Sequence, residues 1–182
     1  MKNQIRYSGK PIGSPDALAA ALNIQLNELS YLAERGAKNY DFFSKQKKTG
    51  GVRSISAPSH TLKIVLRRIN SRIFSNCDFP AYLQGSIKDA NNPRDFVYNA
   101  KSHSSGSSFV LVDIKDFFPS IQKKHVYQIF KYLFKFPHSV AELLANLTTL
   151  NGVLPQGAPT SSYIANLIFY DHEPSLVEWL RK

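Results

Sequence analysis

The chain has 182 residues and a mass of 20.5 kDa, which fits one domain or two small lobes sharing a core. Hydrophobic residues make up 43% and aromatic residues 12%, enough apolar surface to exclude a disordered chain. No apolar run is long enough to span a bilayer, and the polar N-terminus is not a secretory signal, so we expect no membrane partner. The single cysteine, Cys77, excludes an internal disulfide and a cysteine-based zinc site, so a cytoplasmic location is expected.

Positive charge is concentrated in the first part of the sequence. The formal net charge is +10, from 23 Lys and Arg against 13 Asp and Glu. Residues 1–110 hold 16 basic and 7 acidic residues (net +9), whereas residues 111–182 hold 7 and 6 (net +1). A basic front half indicates a polyanion-binding surface, with nucleic acid as the first candidate. Composition alone is also compatible with a basic protein that does not bind nucleic acid.

The N-terminal region predicts two short helices within residues 14–35, because a capping Ser14 and a proline precede leucines at helical spacing. This pair resembles a helix-turn-helix, although plain scaffold has the same pattern. The candidates for reading DNA bases on the second helix are Gln25, Asn27 and Arg35. Glu28 and Glu34 on that helix would repel phosphate, which makes a DNA-binding motif the weaker interpretation.

The next segment predicts a hairpin and a long helix. Residues 40–44 and 52–57 read as strands around a lysine-rich turn at 45–51. The helix that follows Pro58 has its apolar residues on one stripe, so we expect it to pack on the core. Its basic residues lie mostly off that stripe and predict a basic outer face: Lys63, Arg67, Arg68 and Arg72.

The rest of the chain predicts helices and one strand. The helices lie over residues 94–103, 122–134, 138–148 and 160–179, the last interrupted by Pro174. The apolar run Phe109–Val112 predicts a buried strand that ends at Asp113.

Two segments indicate chemistry. An aspartate at the end of a buried strand, as predicted for Asp113, needs neutralisation, and a Mg²⁺ ion bridging to substrate phosphates supplies it. An ordinary turn containing Asp explains the same residue. Residues 154–162 carry Pro-Gln-Gly-Ala-Pro before a helix, where Gly157 allows close approach and Gln156 offers an amide. A simple helix-start turn explains the prolines there but not the glutamine.

Together these segments resemble a reverse transcriptase, most closely the bacterial retron type. Asp113–Ile121 matches the first catalytic palm motif of that family, and Leu154–Ser161 followed by Ile164–Leu167 matches the second. Arg53–Pro58 followed by Leu62 and Lys63 matches the fingers motif, and Asn99–His103 fits the Asn-Ala-x-x-His signature of retron enzymes.

The resemblance implies an α+β fold of the right-hand polymerase type, with helices packed on a small antiparallel sheet. The expected divisions are an N-terminal helical segment over 1–39, fingers over 40–108 and a partial palm over 109–182. The thumb and the last palm strands are expected to be absent from this chain.

The resemblance also implies site residues. Asp113 is expected to be the catalytic metal ligand, with the backbone oxygen of Ile114 as a second donor. The expected nucleotide-binding residues are Arg53, Lys48, Asp116, Phe117, Phe118, Gln156 and Gly157. Phe118 is expected to be the steric gate that excludes a ribose 2′-OH. The expected RNA contacts are Lys47, Lys63, Arg67, Asn99 and His103, although packing explains His103 equally well.

The implied reaction is two-metal phosphoryl transfer with Mg²⁺, copying a structured non-coding RNA into DNA from deoxynucleoside triphosphates. An effector protein, or a chain that supplies the remaining palm, is a further expected partner, and retrons as a family are linked to antiviral defence. No adjacent Asp-Asp pair, the family's third motif, occurs in these 182 residues, so we expect the chain alone to be inactive. The alternatives are half of a split enzyme or a non-catalytic RNA-binding module derived from a reverse transcriptase.

Overall fold

The computed structural model describes residues 4–46, 50–88 and 94–180. It begins with a short strand, β1 (Arg6–Tyr7), followed by helices α1 (Pro15–Leu22) and α2 (Leu26–Arg35). The Ser14 hydroxyl caps α1 by accepting a hydrogen bond from the Ala17 amide at 3.1 Å. Both helices bury leucines, and they pack on each other and on a later helix, α7 (His138–Thr148). The sequence prediction of two helices is therefore confirmed, and their packing on α7 is compatible with a scaffold.

The hairpin predicted over residues 40–57 is present as β2 (Tyr40–Gln46) and β3 (Val52–Pro58), paired antiparallel. Its lysine-rich tip, with Lys47 and Lys48, lies outside the described residues. A second small sheet, not predicted from sequence, pairs β1 with β4 (Cys77–Asp78). Helices and small antiparallel sheets together make this an α+β fold, as expected.

The long helix α3 (His60–Arg72) packs its apolar stripe into the core, but its basic residues are divided between two uses. Lys63 and Arg67 are exposed. Arg68 instead donates hydrogen bonds to the carbonyls of Leu22 and Asn23 at 3.0 and 2.7 Å, and Arg72 donates to Ala21. These carbonyls lie at the C-terminal end of α1, which has no basic residue in its last turn. The predicted basic outer face of α3 is therefore smaller than the sequence suggested.

The core is centred on aromatic side chains contributed by distant parts of the chain. Phe74 follows α3, and its ring lies 6.0 Å from the ring of Phe130 and 5.8 Å from that of Phe134. Tyr7 on β1 packs its ring 4.5 Å from Phe134. The predicted helix over 122–134 is present as α6 (Lys123–Gln128), and it continues as a π-helical segment, Ile129–Leu133. This cluster fixes the N-terminal half of the chain against the palm helices.

The prediction of a buried strand at Phe109–Val112 is wrong. These four residues have no regular secondary structure, and their side chains are 68–98% exposed. An apolar run becomes a buried strand only where neighbouring strands pair with it. Among the described residues, no strand lies beside this segment, so the apolar run does not form a strand.

The C-terminal region forms two helices, and the interruption lies at 168–172 instead of at Pro174 as predicted. Helix α8 (Ser161–Leu167) ends before a turn at 168–172, and α9 (Glu173–Leu180) begins with Pro174 in its first turn, where proline is tolerated. Two further short helices, α4 (Phe96–Ser102) and α5 (Phe117–Ser120), precede the palm helices. Across the described ranges, no helix has the length and apolar character needed to cross a membrane.

Candidate active site

A cavity of about 670 Å³ lies between the β2–β3 hairpin and the two segments singled out by sequence. Six of the predicted site residues line it: Asp113, Ile114, Asp116, Phe117, Phe118 and Gln156. The hairpin contributes Phe42, Val52, Ser54 and Ser56 to the opposite wall. The fold therefore brings the fingers motif and both palm motifs to one cavity.

The backbone at Asp116 determines how the aromatic residues enter this cavity. Asp116 has φ +50°, in the left-handed region, and α5 begins immediately after it. The Ser120 amide donates to the Asp116 carbonyl at 3.1 Å and closes this single turn. The Phe117 ring stacks on Phe169 with centroids 5.8 Å apart and planes 7° apart. Phe117 is thus held against the turn that follows α8, with the half-buried Phe118 ring 6.1 Å away at the cavity.

The Gln156-Gly157 turn packs directly on strand β3. The Ser56 amide donates to the Gln156 carbonyl at 3.0 Å. Gly157 has φ +120°, and a Cβ at this position would lie 3.0 Å from both the Ser56 carbonyl oxygen and Ile55 Cγ2. A side chain would therefore be strained and crowded at once. The structure gives Gly157 a role in joining the palm loop to the fingers hairpin, and its contact with nucleotide stays a prediction.

Two carboxylates, Asp113 and Asp116, line the cavity, and Ile114 lies between them in sequence. Asp113 is exposed. Among residues 4–46, 50–88 and 94–180, no group of three or more His, Cys, Asp or Glu is placed to hold a metal. Magnesium commonly uses one or two carboxylates and completes its shell with waters and phosphate oxygens. The donors present fit a magnesium ion shared with a bound triphosphate, and they do not form a closed metal centre.

Several other predicted residues are absent from the residues that line this cavity or lie outside the described residues. Lys47 and Lys48 are among the residues that the structure does not describe. Arg53 lies in β3, where its backbone pairs with Lys45. Asn99 lies on α4 and His103 just after it, and both are exposed and absent from the residues that line the cavity.

Arg67 lines a second cavity of about 750 Å³, together with Lys88 and Arg94. Arg94 holds the wall of this cavity in place, because its guanidinium donates to the carbonyls of Phe79, Pro80 and Leu83 at 2.5–2.9 Å. Cys77 also lines it, and burial, with the Asp78 carboxylate as a smaller cause, raises the pKa of this thiol to about 12. The predicted RNA contact at Arg67 is thus accompanied by two cations that the sequence analysis missed.

The sequence analysis also missed the hairpin residues of the active-site cavity, although a signal for them existed. Side chains alternate between the faces of a strand, and Phe42 pairs with Ser56 while Ser44 pairs with Ser54. Residues 52, 54 and 56 therefore share one face with residue 42. Which face meets the palm depends on the loop around Gly157, and no strand pattern gives that information.

Comparison with known proteins agrees with this geometry. Residues 45–178 match the protein family described as reverse transcriptase (RNA-dependent DNA polymerase). The chain is 37% identical over 180 residues to the retron Se72 reverse transcriptase of Salmonella heidelberg, covering 98% of this chain and 46% of the relative. It is 32% identical over 178 residues to the retron Ec48 reverse transcriptase of Escherichia coli, covering 93% of this chain and 44% of the relative. The chain spans about half the length of these curated relatives. Because the family match covers both palm motifs and most of the hairpin, the chain belongs to the reverse transcriptase family, and its resemblance is to the retron type.

Proposed function

We propose that this chain forms the fingers and part of the palm of a retron-type RNA-directed DNA polymerase. The proposed divisions are a helical segment over 1–39, fingers over 40–108 and palm over 109–182. The observation that carries the proposal is the 670 Å³ cavity, where two carboxylates, two phenylalanines and the Gln156 turn meet the fingers hairpin. Its volume is in the range of small-molecule sites, as a nucleotide-binding pocket requires.

In this proposal the Asp113 carboxylate and the Ile114 carbonyl would hold Mg²⁺ beside the incoming triphosphate, and Asp116 would line the same nucleotide pocket. When bound, the ion supplies charge neutralisation for the phosphates and the leaving pyrophosphate. The Phe118 ring excludes the ribose 2′-OH, and the Phe117–Phe169 stack keeps the neighbouring ring in place. Arg53, with Lys47 or Lys48, holds the triphosphate, and Gln156 with Gly157 contacts the nucleotide and template.

The substrates proposed for the whole protein are deoxynucleoside triphosphates and a structured non-coding RNA that provides template and primer. The exposed residues proposed to contact this RNA are Lys63, Arg67, Asn99 and His103. The retron relatives support this assignment through their names alone. Binding of an effector protein, and a part in antiviral defence, belong to the same proposal.

The chain alone is not expected to extend a primer. Two carboxylates line the cavity, and no adjacent Asp-Asp pair occurs in the 182 residues. Further carboxylates, from additional sequence or from a complementing chain, are needed to hold two ions at a site of this kind. Primer extension by the isolated 182-residue chain would contradict this expectation.

The test is primer extension on an RNA template by the protein as its gene encodes it, or by this chain with a complementing partner. Asp113→Asn should lower the rate at least about a hundredfold, because several kcal/mol of charge stabilisation are lost. Asp41→Asn is the matched control, since Asp41 is an exposed carboxylate outside the cavity. Extension unaffected by Asp113→Asn, with RNA affinity retained, would favour a non-catalytic RNA-binding module.

Sugar discrimination tests Phe118 separately. Phe118→Ala should let ribonucleotides compete with deoxyribonucleotides, whereas Phe42→Ala, on the opposite wall, should leave the sugar preference unchanged. Unchanged preference in Phe118→Ala would remove this residue from the gate.

A further inference from the structure

A third cavity, of about 340 Å³, lies away from the predicted site residues, between the α6–π-helical region and the turn at 168–172. Its walls are rich in aromatic and hydrogen-bonding side chains: His125, Tyr132, Phe169, Tyr170, Asp171 and His172. The two tyrosines are close enough that Tyr132 contributes, after burial and Asp171, to raising the pKa of Tyr170. Nothing in the motifs discussed above uses this cavity.

The π-helical segment contributes one buried residue, Ile129, and one exposed residue, Tyr132, to the wall of this cavity. The Phe134 amide donates to the Ile129 carbonyl at 3.1 Å, five residues back along the chain. Ile129 and Phe130 are fully buried in the core, yet Tyr132 is 62% exposed at the cavity. Single π-helical turns within helices are often found at functional sites. An exposed aromatic ring beside a cavity is the arrangement on which a nucleobase stacks.

The helical segment on one side of this cavity is basic, whereas residues 168–180 on the other side contain Asp171, Glu173 and Glu178 and no lysine or arginine. Residues 117–141 contain four lysines and no aspartate or glutamate. Lys123 pairs with Glu142 at 2.5 Å. Lys124 and Lys131 are adjacent in sequence to the cavity residues His125 and Tyr132, and Lys124 is near enough to His125 to contribute to lowering its pKa, after burial.

Asp171 is the acidic member of the cavity wall, and it lies 3.6 Å from His172. A carboxylate repels phosphate but accepts hydrogen bonds from the exocyclic amine of adenine, cytosine or guanine. Asp171 therefore offers a hydrogen-bond acceptor to a base, while Lys124 and Lys131 are adjacent in sequence to two other cavity residues.

A stacked ring pair connects the cavity to the polymerase site. Phe169 lines the third cavity, and its ring stacks on Phe117, which lines the 670 Å³ cavity. A polynucleotide strand bound at the proposed polymerase site would thus pass close to the third cavity.

We propose that this cavity binds one nucleotide of a single-stranded polynucleotide, with the base stacked against Tyr132 and its backbone phosphates beside Lys124 and Lys131. The inference rests on the proposed function in so far as the strand would be template, primer or product. The site itself is separate from the predicted catalytic residues, so it can be tested without polymerase activity.

The first experiment measures binding of fluorescein-labelled hexa-adenylate, as RNA and as DNA, to the full chain by fluorescence anisotropy. Tyr132→Ala should weaken binding at least about fivefold, because alanine removes a base-stacking partner. Tyr132→Phe should restore it. Tyr31→Ala is the matched control, since Tyr31 is a helical tyrosine with 55% exposure far from the cavity walls. The relative affinity for the RNA and DNA probes shows whether the bound strand is RNA, as template or primer, or the DNA product.

The second experiment locates the contact. A hexanucleotide containing 5-iodouridine, photocrosslinked to the chain, should label Tyr132, Phe169 or Tyr170 themselves, as identified by sequencing the labelled peptides by mass spectrometry. Labelling confined to the fingers, or equal binding by Tyr132→Ala and Tyr31→Ala, would overturn the inference. Either result would leave the Asp113 and Phe118 tests of the proposed function unaffected. Loss of catalysis in Asp113→Asn with the Tyr132 effect intact would in turn support this site independently.

Discussion

Replacing Gly157 by alanine tests whether the palm loop depends on its close contact with the fingers hairpin. The residue has φ +120°, a conformation that side chains other than that of glycine rarely adopt. The added methyl would lie 3.0 Å from the Ser56 carbonyl oxygen, which belongs to a hydrogen-bonded strand and cannot easily move. The Ser56–Gln156 hydrogen bond, at 3.0 Å, would be strained by any shift of the loop.

The magnitude follows from these opposing effects. Backbone strain at a conformation of this kind costs about 1–3 kcal/mol. Reduced freedom of the unfolded chain offsets about 0.4–1 kcal/mol of it. The methyl overlap adds to the cost, so we expect Gly157→Ala to lower the free energy of unfolding by about 1–3 kcal/mol.

Alanine substitutions at two other glycines serve as controls that separate backbone strain from crowding by neighbouring atoms. Urea unfolding measures the free energy of unfolding of all three variants. Gly152 has φ +79°, but no described atom lies within 4 Å of an added Cβ. Gly13 has neither a positive φ nor such a contact. We therefore expect Gly13→Ala to be the most stable variant, Gly152→Ala to be less stable, and Gly157→Ala to be the least stable. A Gly157→Ala variant as stable as Gly13→Ala would refute the reasoning, and equality with Gly152→Ala would remove the contact with β3 from it.

Three further predictions concern other parts of the chain. Burial raises the pKa of Cys77 to about 12. Near pH 8 its thiolate fraction should therefore be about a thousandfold lower in the folded chain than in the unfolded chain. We expect iodoacetamide to alkylate Cys77 quickly only after denaturation. Burial, and to a smaller extent nearby Lys124, lowers the pKa of His125 from its ordinary 6.5. The Gln122 amide also donates a hydrogen bond to Nδ1 of His125 at 3.2 Å. The folded state therefore prefers the neutral ring. Its contribution to stability is present above about pH 6.5 and lost as the pH falls below it, and His125→Gln should reduce the slope of unfolding free energy against pH there. Arg68→Ala should destabilise the chain by about 1–2 kcal/mol through loss of the two α1 carbonyl contacts, whereas exposed Arg67→Ala should stay within about 0.5 kcal/mol in thermal or urea unfolding.

Local sequence patterns predicted most of the helices and the hairpin because those elements depend on residues close together in the chain. The leucine spacing of residues 14–35 and the apolar stripe of α3 were sufficient for three helices. The same reasoning failed at Phe109–Val112, since a strand requires partners that its own residues do not specify. It also failed for β1 and β4, which pair residues about 70 positions apart and are too short to show a periodicity.

The sequence by itself identified the family and predicted the residues of the candidate site, because motif residues such as Asp113, Phe118 and Gln156 are recognised by their local order and spacing. Only the tertiary structure decided which side chains complete that site and which cations stay available to a ligand. Arg68 and Arg67 are neighbours on one helix, yet one caps α1 and the other faces a cavity. The stack of Phe117 on Phe169, which connects the active-site cavity to the third one, joins residues 52 positions apart. Such contacts depend on how distant elements pack, and a pattern of neighbouring residues contains no record of that packing.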